Sequence, residues 1–211
     1  MNRDTIKLKP TERMIVVGAT GTGKSTFVRE LILPQFKHIL AVDPIGFLGA
    51  QDKRGYLDGF ALARSPADVA RLGNRHPKVQ YRPDPQYHYW EYYDQVYHWV
   101  FDSGNRMLFN DEAYRVMRSS TQASLWLNAC VTAGRQRGIG MITCTQRPTG
   151  IDLRLLSEAE HYVCFRLRKE NDRKRMAEVM GDKVVTHPAR GHAFWYMRDE
   201  DEQPSYFVLG E

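Results

Sequence analysis

The stretch MIVVGATGTGKSTFVRELIL, residues 14–33, decides the fold. Residues 14–17 are apolar and mostly β-branched, the composition of a strand buried on both faces. The next eight residues, GATGTGKS, match G-x-x-x-x-G-K-[ST], and from Ser25 the pattern turns helical until Pro34, which is expected to stop it. Gly18, Gly21 and Gly23 let the backbone curl so that its N–H groups point inward, and the helix start adds the positive end of its dipole. The loop of Gly18, Ala19, Thr20, Gly21, Thr22, Gly23, Lys24 and Ser25, with Thr26 after it, is therefore expected to hold the phosphates of ATP. Lys24 would reach the β and γ phosphates, Ser25 would ligate magnesium, and Thr26 would lie near the α phosphate. A glycine-rich turn without a ligand is the alternative, and it leaves the flanking strand and helix without a purpose.

Short apolar runs alternate with helical stretches outward from this loop. Residues 38–42 read as a strand ending in Asp43-Pro44, and 46–59 as a loop. Ser65 is placed to cap a helix that starts at Pro66. Further strands are expected over 79–82, 107–109, 140–145 and 161–167, and helices over 120–132 and 170–180, the first ending at Gly134 and the second at Gly181. Residues 192–197 and 205–209 form a hairpin turned by the acidic 199–202. Residues 86–101, QYHYWEYYDQVYHWVF, put Trp90, Tyr93, Tyr97 and Val100 on one helical face, which predicts rings packed against the sheet. Stacking on nucleic-acid bases is the alternative. The pattern predicts one α/β domain over residues 1–211, a P-loop NTPase of the ASCE or RecA-like type. It would have a central, mostly parallel sheet flanked by helices, an extension over 1–13 and a C-terminal β-hairpin over 192–209.

Composition narrows the class further. Hydrophobic residues are 42% and charged residues 26%, enough for a packed core. No apolar run approaches the roughly 20 residues of a membrane helix, and the first residues lack the apolar segment of a signal peptide, so export is not expected. Cys130, Cys144 and Cys164 are widely spaced and odd in number. They fit neither a disulfide framework nor a zinc site and are expected as reduced core thiols. A net charge of +5 permits a polyanionic partner without requiring one.

Two further clusters carry chemistry. The strand over 107–109 runs into Asn110-Asp111-Glu112. An apolar strand ending in two acids suits a Walker B site, in which Asp111 holds magnesium and Glu112 polarises the attacking water. A kinase does not normally need the second acid, so Glu112 favours hydrolysis; a solvated turn is the alternative. In GRQRGIGMITCTQRP, residues 134–148, Gln146 sits at the tip of a strand expected beside the Walker B strand, where its side chain can sense the γ phosphate. Arg135 and Arg137 precede that strand, at the opposite end from Gln146. They can serve a nucleotide only by reaching the ATP of a neighbouring subunit, as an arginine finger, or else they make surface ion pairs.

Together these residues resemble the HerA/FtsK superfamily of ring-forming, DNA-translocating ATPases. The R-x-x-G-I…TQRP stretch carries the specific part of the resemblance, and Asp43-Pro44 is similar to the D-P found at that place in HerA-like proteins. The resemblance implies that Arg135, seconded by Arg137, is a trans finger and that Gln146 is the family's strand-tip glutamine. It implies magnesium and ATP, a homo-oligomeric ring (hexamer or pentamer), and double-stranded DNA as partner. A motor core without further domains is similar to the genome-packaging ATPases of viruses with double-jelly-roll capsids and an internal membrane. That implies a place in the host cytoplasm or at a packaging vertex of the virion, docked to capsid-vertex or membrane-associated packaging proteins. Contacts with DNA are expected from Arg115 and Arg118, which follow the acid pair, and from Arg173 and Lys174 in the basic cluster over 166–175. A solvated helix face paired with Glu170, Asp172 and Glu178 is the alternative for that cluster. Two rival functions remain open: a protein-remodelling or assembly ATPase, and a small-molecule P-loop kinase.

Overall fold

The apolar runs become strands whose alternate residues point into two separate cores. In β1 (Arg13–Val17), Ile15 and Val17 enter one core while Met14 and Val16 enter the other. In β2 (Ile39–Val42), Leu40 and Val42 face the first core, Ile39 and Ala41 the second. A sheet apolar on both faces must be covered on both, which is why parallel sheets lie between helical layers. The computed structural model describes residues 6–46, 57–119 and 122–210. Parts of the loop expected over 46–59 and of the helix expected over 120–132 lie outside them.

The remaining elements are β3 (Ala61–Ala63), α2 (Pro66–Gly73), β4 (Lys78–Tyr81), α3 (Trp90–Ser103), β5 (Arg106–Asn110), α4 (Leu125–Ala133), β6 (Ile139–Thr145), α5 (Leu153–Ser157), β7 (His161–Phe165), α6 (Glu170–Met180), α7 (Lys183–Thr186), β8 (Ala193–Arg198) and β9 (Ser205–Val208), with α1 (Lys24–Phe27) after the glycine loop. They build one nine-stranded sheet in the order β3-β4-β2-β5-β6-β1-β7-β8-β9. The strands from β3 to β7 in that order are parallel, and β8 and β9 add antiparallel at the β7 edge. The C-terminal hairpin thus extends the main sheet. Insertion of β6 between β5 and β1 positions the site, because it puts the end of β6 between the end of β5 and the glycine loop.

Helices α2 to α7 contribute to the core on one face, and the α1 segment to the other, together with Ile6 and Leu8, which are 2% and 5% exposed. The aromatic stretch packs as a helix face. Tyr93, Val96, Tyr97 and Val100 are buried, and the Tyr97 hydroxyl donates to Asn110 Oδ1 at 3.0 Å. Trp90 lies half-buried at the helix start. Ser65 caps α2, its side chain accepting from the Asp68 amide. The three cysteines are free and buried.

Four expectations need correction. Pro34 does not stop the first helix: α1 runs on through a π-helical turn, Val28–Ile32, and a 3₁₀ turn, Leu33–Gln35. Pro34 sits in the first positions of that last turn, where a missing N–H costs little. The helix expected from residue 120 begins at Leu125, because Ser124 is extended, with φ −68° and ψ 168°. The strand β3 within the region after residue 59, and the short helices α5 and α7, were not expected. Finally, β7 ends at Phe165, two residues before the expected 167, and the backbone of Arg166 turns to the glycine loop instead.

Candidate nucleotide site

The glycine loop leaves the C-terminal end of β1 and is pinned at its base by two neighbouring strands. Gly18 N–H donates to Thr145 O at 3.3 Å, from β6, and Ala19 N–H to Arg166 O at 2.8 Å, just past β7. Gly18 has no room for a side chain: a Cβ there would lie 2.6 Å from Phe165 Cβ and 2.8 Å from Thr22 Oγ1. Lys24 is buried and its ammonium donates to Gly18 O at 2.7 Å and Ala19 O at 3.4 Å, folded back over the loop it belongs to. Thr22 Oγ1 donates to Ala19 O at 2.8 Å, and His192 Nδ1 lies 3.3 Å from Thr22 O. The loop is a closed backbone ring with its lysine at the centre, the arrangement an oxyanion would enter by displacing carbonyls from the ammonium.

A pocket of about 370 Å³ opens over this loop, lined by Thr20, Lys24, Ser25, Asp111, Glu112 and Gln146 among others. Strand β5 delivers the two acids. Asp111 N–H donates to Val42 O at 3.0 Å, which fixes the chain as it leaves the sheet. Glu112 then adopts the left-handed conformation, φ 54° and ψ 55°, costly for a residue with a side chain and found where structure around it forces it. The turn folds the Glu112 carboxylate inward, leaving the residue 5% exposed. Gln146 meets it there. Its backbone N–H donates to Glu112 Oε1 at 2.8 Å and its Nε2 to Glu112 Oε2 at 2.7 Å. Its Oε1 accepts from Thr20 Oγ1 at 2.7 Å. One side chain therefore joins the glycine loop to the acid at the end of β5.

Burial pushes the Asp111 carboxyl up to about 7, with Asp43 and Glu112 adding to the effect and Lys24 opposing it. Asp43, at the end of β2, is wholly buried; its Oδ1 accepts from Gly46 N–H at 2.7 Å and its Oδ2 from Gln80 Nε2 at 2.8 Å. Two carboxyls, Asp111 and Glu112, line the pocket, and the Asp43 charge acts on Asp111 from outside that lining. Among the described residues no set of three or more His, Cys, Asp or Glu could hold a metal alone. The Ser25 hydroxyl and Asp111 carboxylate are hard oxygen donors in one pocket, a set that suits magnesium completed by water and substrate phosphates.

The predicted residues outside this pocket fall elsewhere. Arg135 pairs with Glu160, beside a separate cavity at the N-terminal end of the strands that Arg13 and Glu158 also line. Arg137 donates to Phe101 O at 3.1 Å and stacks 4.2 Å from that ring. Neither lines the nucleotide pocket of its own chain. Arg115 lies 5.4 Å from the Tyr114 ring and Arg118 5.3 Å from the Trp90 ring, both exposed and near the acid pair. Arg173 donates to Leu167 O and Arg168 O at 3.1 and 3.2 Å, and Lys174 pairs with Glu170 at 2.8 Å. The contacts of Asp43, of Arg166 O and of His192 were not read as part of the site in the sequence. An acid at the end of an apolar strand, Asp43 after β2, was the available signal, and β2 pairs with β5.

No family model and no curated protein matches this chain in sequence. Solved structures do match in fold. The genome packaging NTPase B204 from Sulfolobus turreted icosahedral virus 2, in complex with AMPPCP, superposes with a TM-score of 0.77 at 15% identity over 96% of this chain and 100% of that one. VirB4 of Thermoanaerobacter pseudethanolicus superposes at 0.64, 11% identity, over 95% and 89%. The pCW3 conjugation coupling protein TcpA, in its monomer form with ATPgS, superposes at 0.60, 14% identity, over 93% and 59%. At these identities the likeness is one of fold, and the chain has the α/β P-loop NTPase fold. Among the described residues no helix is long and apolar enough to cross a membrane.

Proposed function

We propose that this chain is an ATP-hydrolysing motor that moves double-stranded DNA, packaging a viral genome into a preformed capsid. The observation that carries the hydrolytic part is the chain of hydrogen bonds Thr20–Gln146–Glu112, which ties the phosphate loop to a buried acid. A kinase acting on a small-molecule acceptor does not normally need this second acid. A water-using enzyme needs its nucleophile oriented.

The roles follow from position. The N–H groups of residues 18–25 and the Lys24 ammonium bind the phosphates, Lys24 exchanging the Gly18 and Ala19 carbonyls for β and γ oxygens. Ser25 and Asp111 would hold magnesium, which when bound neutralises charge building on the phosphate oxygens. Thr26 would lie at the α phosphate. Glu112 polarises the attacking water once one of its oxygens is released by Gln146. A γ phosphate competing for Gln146 or Thr20 provides that release, so that the acid is freed only when nucleotide is in place. Arg135, with Arg137 behind it, sits at the far end of the strands and would act on the nucleotide of a neighbouring subunit in a ring.

The DNA and packaging parts rest on the fold shared with the packaging NTPase B204, the VirB4 protein and the coupling protein TcpA, and on the exposed Arg115 and Arg118 beside the acid pair. Arg173 and Lys174, on α6, are further DNA contacts on this reading. Phosphate release measured against DNA type and protein concentration tests it. The motor is expected to turn over faster with duplex DNA and with rising protein concentration. Stimulation by polypeptide and not by DNA would instead identify a remodelling ATPase, and phosphate transferred to an acceptor a kinase.

A further inference from the structure

We infer that a second anion site lies next to the phosphate loop and takes the sugar–phosphate backbone of nucleic acid. It is an open cleft of about 640 Å³ whose walls carry Arg166, Arg168, Arg173 and Arg190. The inference rests on the motor reading above and names the surface that grips the polymer.

Four guanidinium groups share this cleft and no acidic residue lines it. Among the described residues, the side chains of Arg166, Arg168 and Arg190 make no hydrogen bond or ion pair, and all three are exposed. The nearest acids in sequence are committed elsewhere: Glu170 to Lys174 at 2.8 Å, and Asp172 Oδ1 to the Thr149 hydroxyl at 2.8 Å. Arg173 is the exception among the four. Its guanidinium holds the carbonyls of Leu167 and Arg168 and so fixes the backbone that presents Arg168. Free, planar forks fixed at their base and repelling one another are what a chain of phosphates satisfies. The ATP phosphates have their own pocket, which shares no lining residue with the cleft, and the cleft offers no aromatic ring to a nucleobase.

Both walls are also wired to the phosphate loop. Arg166 O accepts from Ala19 N–H at 2.8 Å on one side. On the other, Arg190 O accepts from Ala193 N–H, and His192 between them reaches Thr22 O at 3.3 Å. A backbone seated in the cleft therefore bears on the phosphate loop at two points, Ala19 and Thr22.

The test uses the full chain and a random-sequence DNA duplex, binding being followed as salt is raised without ATP. Removing two phosphate contacts lowers the slope of log K against log salt by about 1.8. The double variant Arg168→Ala/Arg190→Ala is expected to show that drop, with folding checked by circular dichroism. Arg168→Lys/Arg190→Lys is expected to restore the slope. In hydrolysis assays the alanine pair should lose stimulation by DNA. An unchanged slope and affinity in the alanine pair would overturn the inference, as would a raised KM for ATP with DNA binding intact, which would assign the cleft to the nucleotide. Wild-type protein that binds no duplex overturns both the inference and the motor reading. Wild type that binds duplex with the expected slope but releases no phosphate from ATP sinks only the latter.

Discussion

At the N-terminal end of the parallel strands the charges are settled among themselves. Arg13 donates to Val131 O at 2.6 Å and pairs with Glu160 at 3.3 Å, and His161 lies between Glu12 Oε2 at 3.1 Å and the Tyr196 hydroxyl at 2.9 Å. At the C-terminal end of the same strands Arg115, Arg147, Arg166 and Arg168 have no carboxylate partner among the described residues, Asp111 is pushed toward neutrality, and Glu112 is held in a costly backbone conformation. Buried ion pairs cost desolvation and yield little net stability, but removing one partner strands the other at a high cost. The open end keeps unspent charge and strain for ligands to take up. Catalysis is expected where partners can change, and the account places all of it there except Arg135.

The largest effect is expected at Arg135. If it belongs only to the settled network, Arg135→Ala costs no more than about 1 kcal/mol, the worth of an exposed ion pair, and leaves turnover alone. As a trans finger its loss lowers turnover by about 10³-fold or more with stability nearly unchanged. We expect the second result, and expect mixtures of Arg135→Ala with Glu112→Gln subunits to recover part of the rate. Next in size is Gln146→Ala, which removes one positioned donor and is expected to lower kcat by about 10² to 10³ with a small change in KM. An unchanged kcat would remove Gln146 from the mechanism.

Two smaller effects concern stability. Tyr97→Phe takes the hydroxyl from Asn110 Oδ1, while Asn110 Nδ2 is already buried without a partner. A loss of about 1 to 3 kcal/mol in urea unfolding is expected, the cost of a stranded buried polar group. The settled end supplies the smallest. Burial holds the His161 pKa below its ordinary 6.5 despite Glu12, and Glu12 is driven down to about 2, its burial outweighed by hydrogen bonds from Lys9 and His161. Both groups bind protons more readily in the unfolded chain, so their contribution to stability is full above pH 6.5 and falls on acidification. The His161 part is lost first as pH drops below 6.5, and the Glu12 part between about 4.5 and 2. His161→Gln should flatten the upper slope in thermal unfolding; an unaltered slope would place the titrating group elsewhere.

The contrast between the two ends also explains what the sequence disclosed. The glycine loop, the acids after β5 and Gln146 after β6 were legible because each sits at the tip of an apolar strand, and their spacing is local. The adjacency of β6 to β5 was legible as well, but the hydrogen bonds from Gln146 to Glu112 and to Thr20 were not, since they depend also on β1 lying on the other side of β6. The Arg166 and His192 contacts to the loop were hidden for the same reason: they are backbone-directed and link residues far apart in sequence. The strand β3, with sequence ALA, carries no β-branched residue, and its pairing with β4 makes it a strand. Pro34 misled because a tightened helical turn accommodates proline at its start.

Phosphate release by wild type and by Glu112→Gln, each with and without duplex DNA, decides whether the buried acid drives a DNA-coupled hydrolysis. Wild type is expected to hydrolyse ATP and to be accelerated by duplex. Glu112→Gln should bind ATP normally yet turn over about 10² to 10⁴ times more slowly, with no acceleration. Equal rates for the two proteins, or a wild-type rate indifferent to DNA, would contradict it.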